Sequence, residues 1–420
     1  MLAGWRQRTG DLLRALGPGV TTGAADDDPS GIATYSVVGA KFGTGFLWAS
    51  WFTWPLMGCV QMMCARVGMV TGMGLAGALR LKFPRWLVAA MSIALLVANT
   101  INIASDLSGM ADAAQMLGAG SSHLWVWLFG LGICGATVLL RYHQIAKALK
   151  WLALALIAYV ATAFLVTSDW PAVLRAMAVP SLPKGGAAWG ALVAILGTTI
   201  SPYLFFWQAG QEVEEEKAIG RLMLISRRGA TRRELRDRRI DIGVGTFFSN
   251  VVMFFVILTT AMTLHAHGVT TVSTTREAAE ALRPLAGDGA YFLYTIGIVG
   301  TGLLAIPTLA GSAAYAFAET FDWSYGLDEK FPNAEAFYSV FILATIAGAA
   351  LDLLKVDPIK ALYWSAIVNG LLAPFLLIAL YLVATDRKIM QGQTSSVTTR
   401  IVVVVATLAM FGAAAGMFAV

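Results

Sequence analysis

The chain has 420 residues, 57% of them hydrophobic and 13% charged, with a mean hydropathy of +0.69 and a formal net charge of +5. A soluble domain carries about 25% charged residues, so this composition excludes one and implies a protein embedded in a membrane. The basic residues sit in short loops between apolar runs, which excludes a nucleic-acid surface, and no interval between runs is long enough for a separate soluble domain.

A membrane-crossing helix needs about 17–25 apolar residues. Runs of that kind predict eleven spans, at residues 12–40, 45–70, 86–117, 122–141, 146–167, 188–212, 241–264, 289–317, 335–352, 359–384 and 400–420. Met1-Leu-Ala-Gly-Trp-Arg6 lacks the basic, apolar, small-residue order of a cleaved signal, so the first span is expected to be permanent.

That span carries the main anomaly of the chain. Ala24-Ala-Asp-Asp-Asp-Pro-Ser-Gly31 puts three carboxylates and a proline into an otherwise apolar run. Asp at mid-bilayer costs roughly 2.5–3.5 kcal/mol on insertion scales, and proline removes a backbone donor. Broken polar backbone at that depth is tolerated only where protein or a wet cavity surrounds it. Residues 24–31 therefore predict a discontinuous helix facing a cation pathway.

The three cysteines, Cys59, Cys64 and Cys134, lie in apolar runs without paired spacing and read as small core residues. The sixth span, residues 188–212, repeats the anomaly, with Thr198, Thr199, Ser201 and Pro202 at mid-membrane. Two proline-broken spans five helices apart predict two five-helix halves, residues 12–167 and 188–384, followed by an extra helix at 400–420. An odd number of spans per half inverts the second, and paired broken helices in inverted repeats point to a midplane site in a secondary transporter.

Basic residues sort by side. Arg6, Arg8 and Arg14, Arg80, Lys82 and Arg85, Arg141, Lys147 and Lys150, the run from Lys217 to Arg239, and Arg387 and Lys388 all share one face if the N-terminus is cytoplasmic. Lys355, Lys360, Arg276 and Arg283 fall opposite. The C-terminus is then outside, and a bacterial inner membrane is the expected location. The run 217–239 reads as a solvated loop that fixes topology, with an anionic-lipid patch as the alternative. His123, His143, His265 and His267 lie near span ends, and His265-x-His267 reads as exposed loop before surface metal site.

Gly17-Pro-Gly19 followed by Asp28-Pro-Ser-Gly-Ile-Ala-Thr34 resembles the first-helix signature of the NRAMP family of divalent-metal transporters, whose core is Asp-Pro-Gly-Asn. Gln61-Met-Met-Cys-Ala-Arg-Val-Gly-Met-Val-Thr-Gly72, Ala104-Ser-Asp-Leu-Ser108 and Asp386-Arg-Lys388 resemble the family's second, third and tenth helices. The resemblance implies an all-α LeuT-like 5+5 inverted repeat with discontinuous first and sixth helices and an eleventh helix. It also implies a metal site at Asp28, Gly31, Thr198 and Ser201.

The departures bear on the cargo. The family's Asn ligand is Gly31 here, and its sixth-helix Met-Pro-His is Ser201-Pro-Tyr203, so sulfur and histidine are both gone; an acidic residue of the third helix is Gly109. Thioethers select softer metals, whereas oxygen ligands suit Mg²⁺, which keeps most of its water. Replacing Asn and Met by Gly and Ser is expected to enlarge the cavity, and the pattern resembles the NRAMP-related magnesium branch.

Asp28 is read as a ligand in preference to a helix cap. Thr198 and Ser201 share a helical face and read as ligands or water anchors in preference to back-bonding hydroxyls. Asp27, Tyr203, Gln208, Asp106, Asp112 and Asn369 are second-layer or pathway candidates.

The expected function is alternating-access transport of hydrated Mg²⁺, with Mn²⁺ admitted, and without obligatory proton coupling. The alternatives are a proton-coupled Mn²⁺/Fe²⁺ transporter and, from another class, a membrane-embedded metal sensor. No enzyme activity, cofactor, nucleic acid or obligatory protein partner is expected; the partners are the metal ion and the bilayer.

Overall fold

The computed structural model describes residues 17–118, 120–139, 155–327, 329–354 and 356–419, and every regular element among them is helical. The first span is two helices, α1 (Pro18–Asp26) and α2 (Pro29–Phe42). Helices α3 (Leu47–Thr71), α4 (Leu75–Arg80), α5 (Arg85–Met116), α6 (Ser122–Leu139), α7 (Ile157–Val166) and α8 (Trp170–Ala178) complete the first half. The sixth span is again double, α9 (Gly186–Thr199) and α10 (Pro202–Ala218). Then come α11 (Arg232–Thr263), α12 (Ala290–Phe321), α13 (Glu335–Leu351), α14 (Pro358–Ala384) and α15 (Val397–Ala419). Single turns between them are left unlabelled.

Eight stretches among the described residues are long and apolar enough to cross a membrane, against eleven expected. The difference has physical causes. The halves of the first span have 9 and 14 residues, and α7 shows ten described residues. Trp48, Trp51, Trp54 and Gln61 lower the hydropathy of α3. The expected charges at Arg6, Arg8, Arg14, Arg141, Lys147, Lys150 and Lys355, and His143, lie outside the described residues.

Both breaks follow from local chemistry. Asp28 takes extended backbone (φ −73°, ψ 169°), Pro29 occupies the first helical position, and the Asp28 carboxylate accepts from Gly31 N. That is a favourable N-cap followed by the residue best tolerated at a helix start. At the second break Ser201 is extended (φ −71°, ψ 133°) and Pro202 starts α10. The Ser201 hydroxyl turns back to the Gly197 and Thr198 carbonyls, both at 2.8 Å, and satisfies acceptors that the end of α9 would otherwise leave bare.

Small residues let α1 lie directly on α11. A Cβ placed on Gly23 would meet the Gly245 backbone at 2.5 Å, so neither helix can separate from the other by a side chain at that level. The N-terminus of α1 has no side-chain cap of its own. Asp241 of α11 supplies one instead, accepting from Gly17 N at 2.8 Å, Gly19 N at 2.7 Å and Val20 N at 3.1 Å. Asp241 also pairs with Arg238 at 2.6 Å, and Arg238 reaches Glu212 of α10 at 2.8 Å and Glu215. One buried cluster thus ties α1, α10 and α11 together.

This corrects the reading of residues 217–239 as a solvated loop. Helix α11 starts at Arg232, Arg238 is buried, and Arg227 is buried with its guanidinium on the Gly72 and Leu222 carbonyls. Arg221 pairs with Glu216 and Glu234. The exposed remainder, Arg228, Arg232, Arg233, Arg236 and Arg239, keeps the solvated character expected of the run.

Candidate metal-binding site

The two breaks face each other in the interior. A Cβ built on Gly31 would stand 2.9 Å from Thr198 Oγ1, 3.4 Å from Asp28 Oδ1 and 3.5 Å from the Asp26 carbonyl. Asp28, Gly31 and Thr198 therefore lie together. The expected enlargement of the cavity at Gly31 is not seen: the Thr198 hydroxyl fills the space that a side chain at 31 would take.

Asp28 is both buried and fully engaged. Oδ1 accepts from Gly31 N at 2.7 Å and from the Ser30 hydroxyl at 2.8 Å, while Oδ2 accepts from the Asn102 amide at 3.0 Å. The expectation that Asp28 is a ligand in preference to a cap needs correction, because it does cap α2 through Oδ1. Oδ2 is the oxygen with the freer lone pair.

Ser201 is also corrected. Its hydroxyl back-bonds to α9, so what it offers the site is an oxygen acceptor held at the helix end. The Thr198 hydroxyl is buried, lies beside the Tyr35 hydroxyl and has no hydrogen-bond partner in ordinary geometry.

The other candidates separate. Asp106 is fully buried on α5, close to Asp28 and the Ser30 amide, with neither carboxylate oxygen directly hydrogen-bonded. Tyr203 sits among Asp26, Asp28 and Asp106, and its hydroxyl donates to the Ala25 carbonyl at 3.1 Å. Asn369 is buried on α14 with its Oδ1 unpartnered, beside the turn where Gly197 of α9 meets the Ala366 carbonyl and Gly370.

Asp27 contacts α11. Its Oδ1 is 3.2 Å from the Ser249 hydroxyl of α11, which also contacts Asp26 Oδ2 at 2.6 Å. Gln208 leaves the site, donating to Glu212 at 2.7 Å within the Arg238 cluster. Asp112 is half-buried near Tyr294, six residues along α5 from Asp106. The remaining histidines make ordinary contacts: His123 with Asp352 at 2.5 Å, His265 with the Ala40 carbonyl and His267 with the Thr263 carbonyl. The three cysteines are free and at least partly buried.

Sequence reasoning missed Asn102, Tyr35 and Ser249. Asn102 and Tyr35 are polar residues inside apolar helices, a signal that was present and unused; Ser249 has no local signature.

Chemically, four carboxylates, Asp26, Asp27, Asp28 and Asp106, are buried together, and among the described residues no Lys or Arg pairs with them. An unsatisfied buried polar group costs about 1–3 kcal/mol and a charged one more. A cation relieves that cost. Asp28, Asp106, Thr198 and Ser201 offer oxygen, and the carbonyl ends of α1 and α9 present the negative poles of two half-helices to the same space. Among the described residues no three His, Cys, Asp or Glu side chains form a chelating cluster.

The family profile described as natural resistance-associated macrophage protein-like (Nramp) matches residues 19–419. A divalent metal cation transporter MntH of Yersinia pestis (strain Pestoides F) is 27% identical over 321 residues, covering 71% of this chain and 71% of its own length. Another MntH, of Caldanaerobacter subterraneus subsp. tengcongensis, is 24% identical over 409 residues, covering 95% and 91%. Among solved structures, the Eremococcus coleocola manganese transporter superposes with a TM-score of 0.75 at 17% identity, covering 96% of this chain and 85% of that one. Mhp1, in its inward-facing conformation, gives 0.56 at 14% identity, covering 95% and 91%. These superpositions establish the LeuT-like helical fold with broken first and sixth spans. Since the profile match runs from α1 into α15, the chain belongs to the Nramp family of multi-pass membrane proteins.

Proposed function

We propose that the protein carries divalent metal cations across a membrane by alternating access, binding them between the broken first and sixth spans. One observation carries this reading: Asp28, Asp106 and Thr198 present buried oxygens, several of them unpartnered, around the point where the two breaks meet. The MntH relatives are named for divalent metal cations, which agrees with it.

The finer reading is a preference for hard, partly hydrated ions, Mg²⁺ first and Mn²⁺ admitted. Its support is the absence of any sulfur ligand at Ser201 and the hydroxyl and amide groups around Asp28. The reading of transport without obligatory proton coupling is supported by Tyr203, which stands where the family has histidine and donates its hydroxyl to the Ala25 carbonyl, although Asp28 and Asp106 remain as groups able to carry a proton. Histidine titrates near pH 6.5 in its unperturbed form and tyrosine near 10, so the replacement removes the side-chain type suited to carrying a proton near neutral pH. We further propose that α1 begins on the cytoplasmic side and α15 ends outside, following the basic residues. A membrane potential, negative inside, supplies about 2.3 kcal/mol per charge per 100 mV for inward movement.

A second reading is proton-coupled Mn²⁺/Fe²⁺ transport; one solved structure of the same fold is named a manganese transporter. Proteoliposome uptake of Mg²⁺, Mn²⁺, Ca²⁺ and Cd²⁺ with an internal pH dye separates the two. Entry driven by an imposed K⁺ potential without lumenal acidification supports the first. Acidification that tracks metal entry, and vanishes in Asp28→Ala, establishes the second.

A further inference from the structure

We propose that Asn102 sets the ion selectivity of this site: its amide N–H fixes one oxygen of Asp28, and its amide oxygen accepts a hydrogen bond from water carried in by the cation. The proposal rests on the assignment of Asp28 as the metal-binding carboxylate. Asn102 is fully buried on α5, donates to Asp28 Oδ2 at 3.0 Å, and leaves its own Oδ1 buried without a partner.

Asn99, one turn earlier, also leaves its Oδ1 buried without a partner, so it is the donor side that sets the two asparagines apart. Its amide donates to the Leu309 carbonyl and the Ser312 hydroxyl, joining α5 to α12. Asn102 joins α5 to the break itself. Its donor is spent on the one Asp28 oxygen that the helix cap leaves open, because Oδ1 is already held by Gly31 and Ser30.

Planar amide geometry places Asn102 Oδ1 roughly 4–5 Å from Asp28 Oδ2, a gap that one water bridges. Four residues on, and so on the same face of α5, Asp106 offers two further oxygens without direct partners. The third span thus presents an amide and a carboxylate in one column toward Asp28. An ion that keeps its water finds acceptors for that water there, while an ion that sheds water must compete with the Asn102 N–H for Asp28. That arrangement favours Mg²⁺, which dehydrates reluctantly, over Mn²⁺ and Cd²⁺.

The test is Mn²⁺ uptake in proteoliposomes with Mg²⁺ or Cd²⁺ as competitor, for wild type, Asn102→Leu, Asn102→Ser, Asn102→Gln and Asp28→Ala. Asn102→Leu keeps the branching at Cγ, is somewhat larger, and loses both polar atoms. It should weaken Mg²⁺ competition about tenfold relative to Cd²⁺, and Asn102→Gln should restore part of the ratio. A wild-type Mg²⁺-to-Cd²⁺ ratio in the Asn102 variants, with Asp28→Ala inactive, overturns the role of Asn102 and leaves the site intact. An equal loss of all ions in the Asn102 variants overturns it too, in favour of simple packing. Wild-type uptake by folded Asp28→Ala overturns the site itself. Should the Leu variant not fold, the Ser and Gln variants decide by the same ratio.

Discussion

Replacing Asp241 by Asn should release the N-terminal end of α1. The Asp241 carboxylate has no exposure, accepts three backbone N–H groups from residues 17–20, and pairs with Arg238, itself almost buried. Asparagine keeps the shape but removes the charge and turns an N–H₂ toward groups that are already donors. Breaking a buried pair from one side costs about 3–5 kcal/mol. Arg238 keeps Glu212 and Glu215, which holds the loss near the lower figure. The cluster stabilises docked α1 against undocked α1, so about 3 kcal/mol raises the undocked population roughly 100-fold. Thr22 reports on it: it is buried on α1, its hydroxyl on the Pro18 carbonyl. In a background lacking Cys59, Cys64 and Cys134, a Thr22→Cys thiol should react with a polar maleimide at least tenfold faster when Asp241→Asn is added. An unchanged rate in monodisperse protein would refute the latch.

Asp28→Ala should cut divalent uptake to the background of empty liposomes while leaving the protein folded, measured by tracer uptake and size exclusion. Gly31→Asn should lose uptake on its own, because its Cβ would stand 2.9 Å from Thr198 Oγ1, and regain part of it when Thr198→Ala removes that atom. Comparable uptake by the single and double variants would show that the contact does not matter. Ser201→Met adds a thioether beside the Thr198 carbonyl that the serine hydroxyl now occupies. Cd²⁺ should then compete about tenfold better against Mn²⁺ uptake, and an unchanged Cd²⁺ inhibition constant would exclude position 201 from the site.

The breaks were legible because their causes are local. An Asp before a Pro, with a Gly two residues beyond it, is a cap, a forced start and a position without a Cβ, and all three act within one turn. What the local chemistry left undecided was which job Asp28 does, since a carboxylate suits both a cap and a metal; the structure assigns one oxygen to the cap and leaves the other toward Asn102. The pairing of Asp28 with Asn102 spans 74 residues and that of Gly19 with Asp241 spans 222. No periodicity connects such partners, because helix packing alone brings them together.

The same limit explains Gly31. Losing a side chain reads as gaining space only if nothing else enters, and a hydroxyl from the other broken helix does. The charge run at 217–239 misleads in a related way. Topology rules count arginines by sequence position, yet Arg238 is recruited inward because Glu212 and Asp241 are buried and need a cation. That recruitment joins the two ends of the mechanism. At the breaks, the buried carboxylates have no basic partner among the described residues, which supports the cation site proposed there. One turn beyond Gln208, buried carboxylates with a permanent arginine hold α1 shut. On the proposed reading, carboxylates serve both cargo and latch, and the presence of Arg238 is what tells them apart.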